Sequence, residues 1–198
     1  MCGVVGYYCQ QENGDMRSWM PTALDRLLPR GPDDGGSYFD MEGRLGLGHR
    51  RLSIIDLSQA GHQPMQSADG DAWIVYNGEI YNFQAIRKQL YKLDYQFNSD
   101  SDTEVILAAY RQWGAACLDR FVGMFAFAIW EHSRQRLFLA RDRLGIKPLY
   151  YFFDGHILIF GSELKALMAF PQFPRVVDPD SFQLYLHYQV YPGPQNCL

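Results

Sequence analysis

Cys2 follows a single methionine in the opening run Met1-Cys2-Gly3-Val4-Val5-Gly6, so loss of Met1 would leave a thiol and an α-amine on one residue. A thiolate is the attacking species of cysteine chemistry and needs a proton acceptor beside it. An α-amine has a reference pKa of about 7.7–8.0, against about 10.4 for lysine, which makes it roughly a hundredfold more available as a free base near neutrality. While Met1 is in place the Cys2 nitrogen is an amide and cannot serve. Further along, Asn77-Gly78-Glu79 joins a side-chain amide to a glycine N–H, the donor types of an oxyanion hole for acyl transfer. Asn-Gly is also an ordinary hairpin turn. A helix pattern follows it in place of a pairing strand, which favours a bend with another purpose. Arg51 has the fork to grip a carboxylate, and Asp102 the charge to hold an ammonium. Each also has a plain reading, as a solvated strand arginine and as an aspartate favoured by a helix dipole. As a set they match a small amino acid that carries a carboxylate, an ammonium and an electrophilic carbonyl.

The elements that must position these groups are legible in the hydrophobic pattern. Gly3 to Cys9 reads as a strand, and the odd separation of Cys2 and Cys9 puts them on opposite faces. Leu45 to Ile55 reads as a second strand, with His49 and Arg51 on one face and Arg50 on the other. Ala72 to Tyr76 reads as a buried strand. Asn82 is placed to cap a helix whose Phe83, Ile86 and Leu90 share a face. Ser101-Asp102-Thr103-Glu104 has capping-box spacing for the next helix, with Ile106, Ala109, Tyr110 and Trp113 as its apolar stripe and Gly114 as its stop. Strands follow over Met124–Trp130, Arg136–Arg141, Leu149–Phe153 and His156–Phe160, the last two joined by the hairpin signal Asp154-Gly155. Strands, two helices, then strands again predict an α+β domain of antiparallel sheets with helices outside.

The 198 residues suffice for one well-buried core, and the net charge of -4, with no basic run, argues against nucleic acid or an anionic membrane as partner. No signal-like start and no membrane-length apolar run occur, so a cytoplasmic location is expected. The four cysteines, Cys2, Cys9, Cys117 and Cys197, lack CxxC spacing and suit reduced thiols; Cys117 and Cys197 read as spectators. The five histidines show no ligand spacing, and no metal is expected. Tyr150 to Phe153 reads as core and sheet packing, and Lys147 as a solvated turn lysine. Pro171 to Pro179 carries three prolines, a short helix capped by Asp180 or Ser181 follows, and Tyr191-Pro192-Gly193-Pro194 ends it. The expected division is therefore a domain over 1–177 and a linker or lead-in to a further domain over 178–198.

Cys2-Gly3, Arg30-Gly31-Pro32-Asp33, Gly48-His49-Arg50-Arg51-Leu52-Ser53-Ile54-Ile55-Asp56, Asn77-Gly78-Glu79-Ile80-Tyr81-Asn82, Ser101-Asp102-Thr103-Glu104, Gly123-Met124-Phe125-Ala126-Phe127 and Arg141-Asp142 to Pro148-Leu149-Tyr150 occur in one order along the chain. The series resembles the class II glutamine amidotransferase domain of glutamine-hydrolysing asparagine synthetases. The resemblance implies an N-terminal-nucleophile hydrolase fold, a four-layer αββα sandwich. It implies Cys2 as nucleophile and base, Asn77 and Gly78 as oxyanion donors, and Arg51, Glu79 and Asp102 as the residues that hold glutamine, Arg51 at the α-carboxylate and Asp102 at the α-ammonium. Glutamine would be hydrolysed to glutamate and ammonia through a Cys2 thioester. Arg30 to Gly36 is either a loop that closes over glutamine or a plain surface turn.

Two departures stand out. Pro29 occupies a position where the family commonly has histidine, and the Ser-Gly-Gly-x-Asp-Ser nucleotide loop of the synthetase domain is absent. No cofactor is therefore expected in this chain; ATP and magnesium would belong to a C-terminal synthetase domain that receives the ammonia. Two other readings stay open: the glutaminase domain of an amidotransferase with a sugar or cell-surface precursor as acceptor, and a catalytically silent domain that binds glutamine.

Overall fold

The computed structural model describes residues 1–10, 16–54, 58–171 and 173–190. Its centre is two antiparallel sheets. The first contains β1 (Gly3–Cys9), β2 (Asp34–Phe39), β3 (Leu45–Arg51), β8 (Tyr150–Phe153) and β9 (Ile157–Gly161), in the order β2-β3-β1-β9-β8. The second contains β4 (Met65–Gln66), β5 (Ala72–Ile80), β6 (Gly123–Glu131) and β7 (Arg136–Arg141), in that order.

Alternation sends the side chains of each sheet two ways. Val4, Leu45, Leu47 and Phe160 of the first sheet meet Val75, Ala128 and Trp130 of the second in a shared inner core. Val5, Tyr7 and Cys9 face outward onto α1 (Met20–Leu27) and α4 (Leu164–Leu167). Ile74, Tyr76, Phe127 and Ile129 face outward onto α2 (Phe83–Tyr91) and α3 (Asp102–Trp113). The layers thus run helix, sheet, sheet, helix, as the αββα expectation requires. Fully burying a side chain such as Leu47 or Ile74 contributes roughly 1.5–3 kcal/mol, so the sandwich is held from three apolar layers. α5 (Pro179–Tyr188) lies beyond them, with Phe182, Tyr185 and Leu186 exposed.

Several boundaries differ from the sequence reading. β3 ends at Arg51, and Leu52 to Ile54 leave the sheet; Ile55 and Asp56 lie outside the described residues, as do Tyr191 to Pro194 and Cys197. β5 does not stop at Tyr76. It runs to Ile80, so Asn77-Gly78 is neither a hairpin turn nor a bend but the interior of a strand paired with β6. The Arg30 to Gly36 segment is likewise not all loop, because Asp34, Gly35 and Gly36 pair with Arg51, Arg50 and His49. Asn82 precedes α2 without capping it, its amide being taken by the Arg120 carbonyl and the Val122 N–H. Ser101 does cap α3, accepting from Thr103 N–H at 3.1 Å, but Glu104 turns to the N–H groups of Asn98 and Ser99, so the reciprocal half of the box is not made. Gly114, at φ 59°, ends α3 as expected. Asp178, not Asp180 or Ser181, caps α5. Tyr150, Tyr151 and Phe153 sit on an edge strand and are exposed, not packed in the core.

Candidate active site

β1 is the middle strand of its sheet, and Cys2 lies one residue before it, at the end of the sandwich where β3 finishes and β5 passes. There Cys2, Arg51, Asn77, Gly78, Glu79 and Asp102 line one cleft of about 160 Å³. All six residues singled out in the sequence are brought together, from four separate elements. A larger depression, about 620 Å³, runs along one face of α5 and gathers none of them. The Cys2 sulfur sits against the backbone just past β3: Leu52 N–H donates to Sγ at 3.4 Å, and the thiol points at the Leu52 carbonyl, 3.6 Å away. The Cys9 thiol faces the other way, into the outer core, where burial pushes it up to about 11; Cys117, under α3, is pushed up to about 12 by the same cause.

The register of β5 explains the donors. Phe125 N–H donates to Asp142 Oδ2 and the Phe125 carbonyl accepts from Asp142 N–H, so Phe125 turns its polar groups away from its β5 partner, Gly78. Gly78 is therefore a non-hydrogen-bonded pair, and its own N–H points to the opposite edge of β5. β4 covers that edge only at Trp73 and Ile74. Along the uncovered part, Tyr76 N–H donates to Gln63 Oε1 at 2.7 Å and Ile80 N–H to Asp102 Oδ2 at 3.0 Å. Gly78 lies between them, its N–H facing the cleft. The absence of a side chain is required there, since a Cβ would overlap the Met124 carbonyl, the Tyr76 ring and the Phe125 Cα. Asn77 points its side chain to the other face, into the cleft, and its buried Nδ2 has no hydrogen-bond partner among the described residues. An orphaned buried donor is uncommon and points to a ligand group that completes it.

Asp102 is 4 % exposed. Its Oδ2 accepts from the Tyr76 hydroxyl at 2.7 Å as well as from Ile80 N–H. Burial raises its carboxyl above the usual carboxylate range, and these two hydrogen bonds act against that rise. Burial together with the Asp102 carboxylate raises the Tyr76 hydroxyl, which keeps its proton. Arg51 comes from the same face of β3 as His49, as the alternation predicted, while Arg50 turns to Leu24 and Asp25 on α1. Arg51 Nη1 donates to the Ser58 carbonyl at 2.9 Å, and its guanidinium lies across Gly61, where a Cβ would overlap it. His49 Nε2 is 2.9 Å from the Tyr76 carbonyl, an acceptor, which assigns the proton to Nε2. Burial pushes His49 down to about 4.

The sequence reading passed over Tyr76 and Gln63. Gln63 joins the Tyr76 N–H to the Thr103 hydroxyl, tying β5 to the start of α3. A buried tyrosine hydroxyl needs a partner, and the parity of the strand placed it opposite Asn77, so Tyr76 carried a usable signal. Gln63 carried none. Lys147 corrects an expectation: it is 4 % exposed and lines the cleft, with Nζ 3.2 Å from Met1 Sδ. Its burial, and then the Arg30 charge, lower the ammonium from its usual value.

Residues 1–198 match the model of a family described as a glutamine amidotransferase domain. The chain is 41 % identical over 181 residues to the protein named asparagine synthetase (glutamine-hydrolysing) 3 of Bacillus subtilis, covering 90 % of this chain and 29 % of that protein. It is 38 % identical over 180 residues to amidase chry2 of Gibberella zeae, covering 86 % and 27 %. The chain spans less than a third of the length of either relative. Among solved structures it is similar to glutamine phosphoribosylpyrophosphate amidotransferase from B. subtilis, with a TM-score of 0.71, 22 % identity, and coverage of 85 % of this chain and 43 % of that one. That likeness speaks to the fold alone.

Proposed function

The chain belongs to the class II, N-terminal-nucleophile glutamine amidotransferases, and from that membership we propose that it hydrolyses glutamine to glutamate and ammonia through a thioester on Cys2. Loss of Met1 frees the α-amine. The thiol of Cys2 passes its proton to that amine, and the sulfur electron pair forms a bond to the side-chain amide carbon of glutamine. The carbonyl oxygen becomes an oxyanion, received by Asn77 Nδ2 and Gly78 N–H. On collapse the carbon–nitrogen bond breaks, and the α-ammonium returns its proton to the departing nitrogen, which leaves as ammonia. Water, losing its proton to the same amine, attacks the thioester and yields glutamate and the thiol. Arg51 takes the α-carboxylate, Asp102 the α-ammonium, and Glu79 completes the grip from β5.

One observation carries this reading: a thiol, the Asn77 amide, which has no partner among the described residues, and the outward-facing Gly78 N–H converge on a cleft that also holds an arginine and a buried carboxylate. Glutamate release from glutamine without ATP, on protein shown by mass spectrometry to lack Met1, tests it. Turnover is expected, and it is expected to vanish in Cys2→Ala. A silent glutamine-binding domain would show neither.

The ammonia would then pass to a C-terminal synthetase domain, with the domain over 1–177 followed by a linker or lead-in over 178–198; the exposed Phe182, Tyr185 and Leu186 of α5 support this reading. ATP and magnesium would serve that second domain, with aspartate as acceptor, in the cytoplasm. The similarity to asparagine synthetases supports this acceptor. The similarity to proteins named amidases supports a second reading, in which the same ammonia source serves a different acceptor. Among the described residues, no helix is long and apolar enough to cross a membrane.

A further inference from the structure

Lys147 brings into the cleft a buried charge with no close ion-pair partner among the described residues, although Glu79 and Asp142 act on it from further away. Among the described residues no carboxylate oxygen lies within the 4.0 Å of an ion pair with its Nζ, although the residue is 4 % exposed. Buried charges are normally paired, so an unpaired one marks a position with another use. Its loop is built to hold it. Asp142 Oδ2 accepts from Lys147 N–H and Oδ1 from Ile146 N–H, both at 2.9 Å, so the nearest carboxylate on the loop is occupied by backbone. Arg141 donates to the Lys147 carbonyl at 2.7 Å and to that of Gly145 at 2.6 Å. Among the described residues the ammonium's hydrogen-bond partner is Met1 Sδ, on the residue whose removal creates the N-terminal base.

We propose that Lys147 is a positioning residue for that base: once Met1 is gone, its ammonium stands beside the new α-amine of Cys2 and, by like-charge repulsion, holds the amine in its unprotonated, proton-accepting form. The inference rests on Cys2 being the nucleophile. An α-amine of ordinary pKa, about 7.7–8.0, is mostly protonated at pH 7, where it cannot accept the thiol proton. A like charge within about 4–6 Å shifts the balance toward the free amine, and the same charge favours the thiolate.

The other charges around the N-terminus are accounted for. Arg30 Nε donates to the Cys2 carbonyl at 2.8 Å, but its Nη1 pairs with Glu163 at 3.0 Å. Arg51 approaches from β3, and Asp102, from α3, is engaged by Tyr76 and Ile80. Glu79, from β5, is the opposing charge that Lys147 must outweigh.

The test reads the amine directly. Protein labelled with 15N at cysteine and lacking Met1 is titrated by NMR as wild type, Lys147→Met, Lys147→Gln and Lys147→Arg, with the pH profile of glutamate release measured alongside. Both neutral variants are expected to raise the amine titration, and with it the acid limb of kcat/KM, by about one pH unit, while Lys147→Arg stays near wild type. An unmoved amine in either neutral variant overturns the proposal, as does an arginine variant displaced as far as the neutral ones. A shifted amine in protein that turns over no glutamine would sink the proposed function and leave standing only the effect of the Lys147 charge on the amine, not its service to a catalytic base. Thermal melts of the neutral variants at or above wild type keep the comparison free of unfolding, since each removes a buried unpaired charge.

Discussion

The Tyr76 hydroxyl and the Asp102 carboxylate are 2.7 Å apart, joining the middle of β5 to the first turn of α3 across the outer core. Because Asp102 also accepts from Ile80 N–H, one carboxylate is fixed by two points of the same strand. Tyr76→Phe removes one of them. Unfolding free energy is expected to fall by about 2 kcal/mol, a typical value for a hydrogen bond to a charged group. The loosened carboxylate should raise KM for glutamine about tenfold and leave kcat nearly unchanged; chemical denaturation and steady-state kinetics check both.

Asp102→Asn separates charge from position. The asparagine carbonyl can still accept from Tyr76 and Ile80, but the counter-ion for an ammonium is lost. Affinity for glutamine, read by calorimetry, should drop on the order of 10–100-fold. Stability should move the other way. Asp102 is raised in the folded state, so the stability that its protonated form contributes is present below the unfolded pKa, about 3.9, and is lost as pH rises through the folded value. Above its folded value wild type carries an ionised buried carboxylate that the variant lacks. The variant is expected to be as stable as wild type or more so at pH 7, with the difference shrinking toward pH 4.

Asn77→Ala removes a donor that the folded protein does not use. Turnover of glutamine should fall about 10²–10³-fold with little change in KM, the usual effect of losing one oxyanion donor. Unfolding free energy should not fall, because the buried Nδ2 has no partner to lose. A loss of stability in parallel with activity would argue that Asn77 is structural.

His49 makes the fold sensitive to acid. Its folded pKa, about 4, is below the unfolded value near 6.5, so its contribution is fully present above pH 6.5 and is lost as pH falls toward 4. Between pH 7.5 and pH 5 this amounts to about 2 kcal/mol. Asp34, Arg51 and His62 share its surroundings, and Asp34 already pairs with His62 at 2.8 Å. His49→Gln can keep a donor for the Tyr76 carbonyl without ionising. Urea unfolding at the two pH values should show the difference in wild type and a flatter response in the variant.

The antiparallel strands, and Cys2, Arg51 and Asp102 as candidates, were readable from local signals, whereas the four-layer order and the role of Glu79 came only from the family resemblance. The alternation of Val4, Val5 and Tyr7 already sorts inner from outer core, and Arg50 and Arg51 separate by parity alone. What could not be read depends on pairing. Asn77-Gly78 is a turn by local chemistry and a strand because β6 lies beside it, and Gly78 is glycine because of the Met124 carbonyl, which no local pattern announces. Glu104 had the spacing of a capping box, yet the chain before α3 folds so that Asn98 and Ser99 claim its carboxylate first. Lys147 reads as solvated in sequence because a lysine between Ile146 and Pro148 usually is; it is buried through the turn that Asp142 and Arg141 impose.

The uncovered edge of β5 carries one more consequence. A bare strand edge normally invites another strand, since it presents N–H and C=O groups in series. Here Gln63 and Asp102 plug the amides on either side of Gly78, and His49 plugs the Tyr76 carbonyl, so among the described residues the series of free groups is interrupted on both sides of Gly78. A polypeptide needs several such groups to add itself to a sheet, whereas a lone carbonyl oxygen needs only one. The same plugs that steady the cleft therefore make it a poor host for protein chains, including unfolded copies of this one, while leaving it open to a free amino acid.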